Sequence, residues 1–405
     1  MKIIVQKFGG TSVATPQTRQ MVVDKVKEAR EDGYAPIVVV SAMGRRGDPF
    51  ATDTLIDMLK SVNPNPAPHE LDLLMACGEM ISSAVMAVTL QKAGMKAKAL
   101  TGGQAGMVTD ERYGNAKIRQ VNPDNLLELV EQGIIPVICG FQGVTPDYNN
   151  ITTLGRGGSD TSAAAFGVAV KADKVEIYTD VDGVMTADPR IVKDAHIFDQ
   201  ISYEEICEMA HQGAKVIHPR AVEIVMRYGV PMVVKSTFSD APGTLITEDK
   251  PENLEQQDTV QERHDYGIAN KSGIAFFQVK LDPAKGQDGS EVFNVMAKNG
   301  VSVGALSYQP QSLGFAVYKG TTADAEAVLK KECFSYTCVP DCGKVTVVGN
   351  HMGGVSGIMF RFMSALSRAG VTVYQTTDSD NLISAIVPAE QINTAANALH
   401  KAFNS

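Results

Sequence analysis

Close to the start of the chain a lysine, two adjacent glycines and two hydroxyls follow a short apolar stretch, Lys7-Phe8-Gly9-Gly10-Thr11-Ser12-Val13. Glycines alone would mark a tight turn. With a cation at the end of a strand, their N–H groups can also cradle a phosphate. No GxxxxGK[ST] occurs, so this is not a Walker A loop. A second glycine-rich run, Gly155-Arg156-Gly157-Gly158-Ser159-Asp160, opens an alanine-rich helix. Ser159 or Asp160 can cap that helix, whereas Arg156 between glycines offers a bidentate fork to a carboxylate or phosphate beside backbone donors. A third run, Tyr178 to Arg190, ends an apolar strand with Thr179, Asp180 and Asp182. Its Asp182-Gly183 and Asp188-Pro189 pairs are equally ordinary turn chemistry. Neither a Ser-His-Asp constellation nor HExxH is seen.

The elements that must hold these residues alternate. Residues 1 to about 245 interleave β-branched runs (Ile37–Val40, Val137–Cys139, Val175–Tyr178, Val230–Val234) with helical stretches (Thr18–Arg30, Asp72–Leu90, Ser159–Val170). This order predicts an α/β domain with a largely parallel sheet between helix layers, binding ligands beyond the carboxyl ends of the strands. A chain of 405 residues is long enough for two or three domains. Its net charge of −9, with no Lys/Arg block, argues against nucleic acid or an anionic membrane as partner. No apolar run approaches the roughly 18 residues of a membrane span, and the start lacks a signal-peptide pattern, so a cytoplasmic location is expected. Cys77, Cys139 and Cys207 lie in apolar segments. The run holding Cys333, Cys338 and Cys342 is too irregular, and too short of histidine, for zinc to be preferred over reduced thiols.

Residues 246–263 are polar and aperiodic and are expected to link two domains. Beyond them the chain echoes itself. Ile274-Ala-Phe-Phe-Gln-Val-Lys280 is answered from Val345, Asn299-Gly-Val-Ser-Val303 from Ala369, and Leu313-Gly-Phe-Ala-Val317 from Leu382, at offsets of 71, 70 and 69 residues. Helices follow the first strand of each copy at Glu291–Lys298 and Gly357–Arg368, predicting two ferredoxin-like βαββαβ modules, 264–340 and 341–405. Each resembles an ACT domain, a small amino-acid-sensing module whose ligands bind near the loop after the first strand.

The N-terminal segments resemble aspartate kinases, of the amino-acid kinase family. The resemblance rests on KFGGTSV at 7–13, VVVSAMG at 38–44, CGE at 77–79, GRGGSDTSAA at 155–164, TDVDGVMTADPR at 179–190 and GAKVIHPRAVE at 213–223. It implies a monofunctional enzyme that phosphorylates the L-aspartate β-carboxylate from ATP, in the biosynthesis of lysine or diaminopimelate, threonine and methionine. A carboxylate with a reference pKa near 3.9 is already ionised at neutral pH, so no general base is needed. The site must instead bring two anions together with cations, N–H donors and Mg²⁺ held mainly by the ATP phosphates. Lys7 would then stabilise the transferring phosphoryl, with Gly9 and Gly10 donating N–H groups and Ser41 close to the phosphates. Thr52 and Glu79 would hold aspartate, Glu79 through the α-ammonium. Arg156 would grip a substrate carboxylate within a pocket completed by Gly157, Gly158, Ser159 and Asp160, the last orienting Lys7. Thr179, Asp180, Asp182 and Arg190 would line the nucleotide site, with Lys215 reaching the phosphates.

For regulation the resemblance implies an amino-acid effector, lysine, threonine or meso-diaminopimelate, near Asn350, Met352, Asp378, Ser379 and Asp380, and at least a homodimer through the ACT modules. The stretch Arg45–Ala51 before Thr52 is longer than in many members of the family. His218 and His351 read as packing or solvent-bridging residues. The competing functions are a catalytically silent amino-acid sensor of the same fold and another amino-acid kinase such as glutamate 5-kinase. The KFGGTS opening and the ACT pair speak against the second, and the complete set of cations and glycines against the first.

Overall fold

β-Branched runs bounded by glycine turns become strands, and apolar residues at helical spacing become the helices covering them. The computed structural model describes residues 1–214, 216–248, 265–282, 287–350, 352–353 and 355–404. Two compact units emerge: one comprises 1–184, 197–207 and the described part of 215–252, the other 185–196, 208–214 and the described part of 253–405. Up to residue 247 the elements are β1 (Lys2–Phe8), α1 (Gly10–Val13), α2 (Pro16–Glu31), β2 (Tyr34–Val40), α3 (Thr52–Val62), α4 (Pro68–Lys92), β3 (Ala97–Leu100), β4 (Met107–Thr109), β5 (Ile118–Val121), α5 (Asp124–Glu131), β6 (Ile135–Cys139), β7 (Gln142–Val144), β8 (Ile151–Thr153), α6 (Gly158–Ala169), β9 (Lys174–Thr179), β10 (Gln200–Ser202), α7 (Tyr203–His211), α8 (Pro219–Tyr228), β11 (Met232–Ser236) and β12 (Thr244–Thr247). Residues 249–263 of the expected linker lie outside the described residues.

In the first unit eight strands form one sheet in the order β10-β12-β11-β9-β1-β2-β6-β3, parallel except between β11 and β12. β2 lies on one side of β1 and β9 on the other, so connections leave β1 in opposite directions and open a crevice at its carboxyl end. α2 illustrates how the covering helices are specified. Thr15 and Thr18 form a reciprocal cap, Pro16 starts the first turn, and Val22, Val23 and Val26 place one fully buried face on the sheet. Burying each such side chain contributes about 1.5–3 kcal/mol. α4 is long and apolar enough to cross a bilayer by composition, yet its Met86, Ala87 and Leu90 join Phe8, Val38 and Val137 in one core. Its buried Asp72 fastens the small sheet β5-β4-β7-β8, accepting hydrogen bonds from the Gly114 and Thr153 N–H groups and the Thr153 hydroxyl.

The second unit holds β13 (Gly267–Lys280), α9 (Gly289–Lys298), β14 (Gly304–Gln309), β15 (Ser312–Tyr318), α10 (Thr322–Lys331), β16 (Ser335–Val348), α11 (Ile358–Arg368), β17 (Gln375–Ser379), β18 (Leu382–Pro388) and α12 (Ile392–Phe403). Its sheet runs β14-β15-β13-β16-β18-β17, antiparallel throughout. Both repeats are present, but one expectation is corrected: the second module does not end on its own fourth strand. β13 and β16 each run through both modules, their register breaking between Lys271 and Phe276. Ile274–Lys280 and Ser335–Val339 complete the first module. The strand that completes the second is Gly267–Lys271, paired with Lys344–Val348, and it precedes the first module in the chain. The cores agree with this nesting: Ile268 packs with Val345, Ile383, Phe362 and Leu399, whereas Phe277, Phe315, Val292 and Leu329 form a separate cluster. A strand is recruited by its hydrogen-bonding edge and apolar face, and the order of segments in the chain does not constrain that choice.

A fragment of residues 341–405 should therefore show no cooperative urea transition by circular dichroism, whereas residues 265–405 should unfold cooperatively. An equally cooperative short fragment would refute the nesting.

Candidate active site

Lys7 stands at the carboxyl end of β1, level with Val39 of β2 and Ile177 of β9. This is the point where the strand order reverses. Its ammonium lies 2.6 Å from a carboxylate oxygen of Asp160, both side chains mostly buried. Asp160 belongs to the first turn of α6, which enters through Gly157 in the left-handed region (φ +66°). There a Cβ would come within 2.2 Å of that of His218, so only glycine fits between α6 and the start of α8. His218 is a packed residue that caps α8, its Nδ1 accepting the Arg220 N–H. Gly140, just past β6, is equally constrained, because a Cβ would meet Ser159 at 2.9 Å.

The loops after β1 and β2 interlock. Ser41 N–H donates to the Phe8 carbonyl at 3.1 Å and Gly44 N–H to Gly10 at 3.0 Å. A Cβ on Gly10 would meet the Ala42 and Gly44 carbonyls at 2.7 and 2.6 Å, so Gly10 is required for close approach. Gly9 differs from its expected part: its N–H donates to the Tyr178 carbonyl at 3.2 Å and is already committed. In α4, Gly78 admits Ala42 and the Phe50 carbonyl, placing Glu79 against the second loop. Glu79 is 2% exposed, one oxygen accepting the Ala42 N–H at 3.0 Å. The other oxygen has no partner among the described residues. Burial pushes its carboxyl up to about 8.

Arg156 is exposed, and its guanidinium has no ion-pair or hydrogen-bond partner among the described residues. Thr52 starts α3, whose N-cap, Ala51, provides no side-chain cap. At the end of β9, Thr179 donates to Asp180, which pairs with Arg45 at 2.5 Å, and Asp182 accepts from Ser239. Arg190, in the second unit, grips Asp188 beside Val192 and Ala187, which pack in that unit's core. Lys215 lies outside the described residues. Of the effector candidates, Met352 is buried in the second module's core, and Asp378, Ser379 and Asp380 are exposed. Gly353 N–H donates to the Asp380 carbonyl, joining two of the expected effector loops.

Three positioning residues escaped the motif reading. Asp72 anchors α4 to the strand that precedes the Arg156 turn. Arg220 donates to the Leu154 and Ala116 carbonyls at 3.0 and 2.8 Å, holding that same turn. Arg45 ties the long loop to Asp180. The prior signals were the length of that loop and the place of Arg220 inside the segment GAKVIHPRAVE, two residues after His218.

A largely parallel sheet with a buried lysine at its switch point, flanked by glycine-rich loops, is the architecture expected of the amino-acid kinase class. Residues 2–236 match the amino acid kinase family model and residues 337–401 an ACT domain model. The chain is 43% identical over its full length to Aspartokinase 1 of Bacillus subtilis, covering 99% of that protein, and 38% identical to an aspartokinase of Thermus thermophilus, also covering 99%. Its fold matches Escherichia coli aspartokinase III in complex with aspartate and ADP (TM-score 0.77) and Clostridium acetobutylicum aspartate kinase (TM-score 0.80). Each is 23% identical to this chain, with at least 99% of both chains covered. The chain belongs to the aspartokinase family, phosphotransferases with a carboxyl group as acceptor and ATP as phosphoryl donor.

The burial of Glu79 can be checked without any ligand. Its carboxyl is shifted up, so it binds a proton more tightly folded than unfolded, and its contribution to stability declines as pH rises from about 4.5 to about 8. Glu79→Gln should therefore gain stability over the parent across that window, by on the order of a few kcal/mol at pH 8 and above. Denaturant titrations at several pH values measure it, and a gap independent of pH would contradict the burial.

Proposed function

We propose that the residues gathered at the end of β1 carry out the aspartokinase reaction, moving the ATP γ-phosphoryl to the β-carboxylate of L-aspartate to give 4-phospho-L-aspartate. The observation that carries this reading is the Lys7–Asp160 pair, set at the strand switch point. Asp160 fixes the lysine ammonium where two anions must meet, so the charge is oriented before the reactants arrive. Arg156 then takes a carboxylate of aspartate. The unpartnered oxygen of Glu79 takes its α-ammonium, which would hold Glu79 ionised. Thr52, Gly157, Gly158 and Ser159 complete that pocket. The nucleotide lies along Ser41, Gly10, Thr179, Asp180 and Asp182, with Lys215 as a further cation for its phosphates and Gly9 contributing shape rather than its N–H. Arg190, here paired with Asp188, completes the expected nucleotide set. Mg²⁺ held mainly by the ATP phosphates would offset their charge, and Asp180 and Asp182 are the carboxylates that would add to its shell.

The acceptor carboxylate attacks in line without losing a proton, so these residues bind, orient and neutralise charge and act as no base. The paired ACT modules would sense an end-product amino acid, lysine, threonine or meso-diaminopimelate, at the 350–353 and 378–381 turns. Exposed apolar side chains on β14 and α11, Leu306, Tyr308 and Phe360, support assembly into at least a homodimer. The setting is cytoplasmic amino-acid biosynthesis.

The direct test is aspartyl hydroxamate formation from ATP, Mg²⁺, L-aspartate and hydroxylamine. No product from folded protein would sink the proposal. Lys7→Met should lower turnover by at least about a hundredfold and also destabilise the fold, because Asp160 is left buried and unpaired. Adding Asp160→Asn should restore stability and not turnover, and recovery of both would reduce Lys7 to a structural part. Aspartate affinity should rise with pH up to about 8 and then level, as Glu79 loses its proton. A flat profile measured by KM across pH 6–9 would remove Glu79 from ammonium binding.

A further inference from the structure

A pocket of about 160 Å³ opens in the second unit, between the sheet surfaces of its two modules, well away from the 350–353 and 378–381 turns in sequence. Lys271 and Lys344 line it, and they are direct cross-strand partners in the β13–β16 pair. Like charges directly opposite on antiparallel strands repel. Lys271 donates to the Tyr318 hydroxyl at 2.7 Å, a neutral partner. The Lys344 ammonium has no hydrogen bond or ion pair with any described residue, and burial and Lys271 both depress its pKa against the pull of Glu208. Among the described lining residues there is no Asp or Glu. The rest of the wall is aliphatic, from Ile274, Ala316, Val317 and Ile386, with Ser302 at the polar side. Two opposed cations, one without a partner, facing an apolar cavity call for an anion. The described lining holds no carboxylate to pair with a ligand ammonium. The volume is well below the roughly 300–1,000 Å³ of pockets for drug-sized ligands.

We propose that this pocket binds a small branched aliphatic carboxylate lacking an amino group, its carboxylate bridging Lys271 and Lys344 and its hydrocarbon body against Ile274, Val317 and Ile386. The ligand differs in class from the amino acids expected at the turns. Because β13 and β16 run through both modules, it would sit where those modules share their two strands.

Equilibrium dialysis of the full-length protein with labelled isovalerate tests this, with valine and inorganic phosphate as comparison probes. Expected is saturable uptake of one isovalerate per chain, weakened at least about tenfold by Lys344→Met and held within about threefold by Lys344→Arg. Valine, with the same branched body plus an ammonium, should bind at least about tenfold more weakly, and saturating L-aspartate should not compete. No saturable uptake, indifference to Lys344→Met, equal binding of valine, phosphate binding in place of isovalerate, or displacement by aspartate would each overturn the proposal. Should Lys344→Met fail to fold, Lys271→Met carries the same expectation. Competition by aspartate would locate the probe in the catalytic site, so this inference can fail while the kinase reading stands.

Discussion

A lysine held against an aspartate at the end of the central strand is the interaction on which the catalytic unit turns. Burying either charge alone would cost several kcal/mol, and together they hold each other in one geometry. The pair exists because β1 is flanked by strands whose connections leave in opposite directions, which brings the first turn of α6 over its carboxyl end. Every other part of the site is built around that fixed charge: the interlocked loops after β1 and β2, the turn of Arg156, and the buried Glu79.

The glycines serve this arrangement mainly by what they omit. Gly10, Gly78, Gly140 and Gly157 each stand where a Cβ would strike a neighbouring backbone or side chain. They bring separate loops into contact, and Gly10 alone of the first pair keeps an N–H uncommitted to the backbone bonds described for Gly9. Behind them Asp72 and Arg220 hold the glycine-rich turn through backbone carbonyls and amides, so its position depends on residues distant in sequence. The high pKa of Glu79 follows from the same close packing. A carboxylate pressed against Ala42 with one bonded oxygen is costly to ionise until a cation meets the other.

The regulatory unit obeys a different constraint. Two modules share two long strands, so neither can change its sheet without engaging the strands of the other. The nested order makes the pairing of Gly267–Lys271 with Lys344–Val348 the seam of the unit. That seam is also where two lysines are forced to face one another.

By itself the amino-acid sequence determined the elements and the chemistry. β-Branched runs, helical periodicity and glycine turns settle within short windows, and β1, β2, β6, β9, α2, α4, α6 and the repeated strands were all legible there. Lys7, Arg156 and the glycines beside them were legible as candidates for a site, because phosphate and carboxylate binding limits which residue types can serve. Only the tertiary structure decided which of them meet. It paired Lys7 with Asp160 across some 150 residues, committed the Gly9 N–H to Tyr178, and gave the second module a strand from before the first. Those outcomes depend on strand order, and strand order is set by long-range edge pairing and burial, which leave no mark at any fixed spacing along the chain.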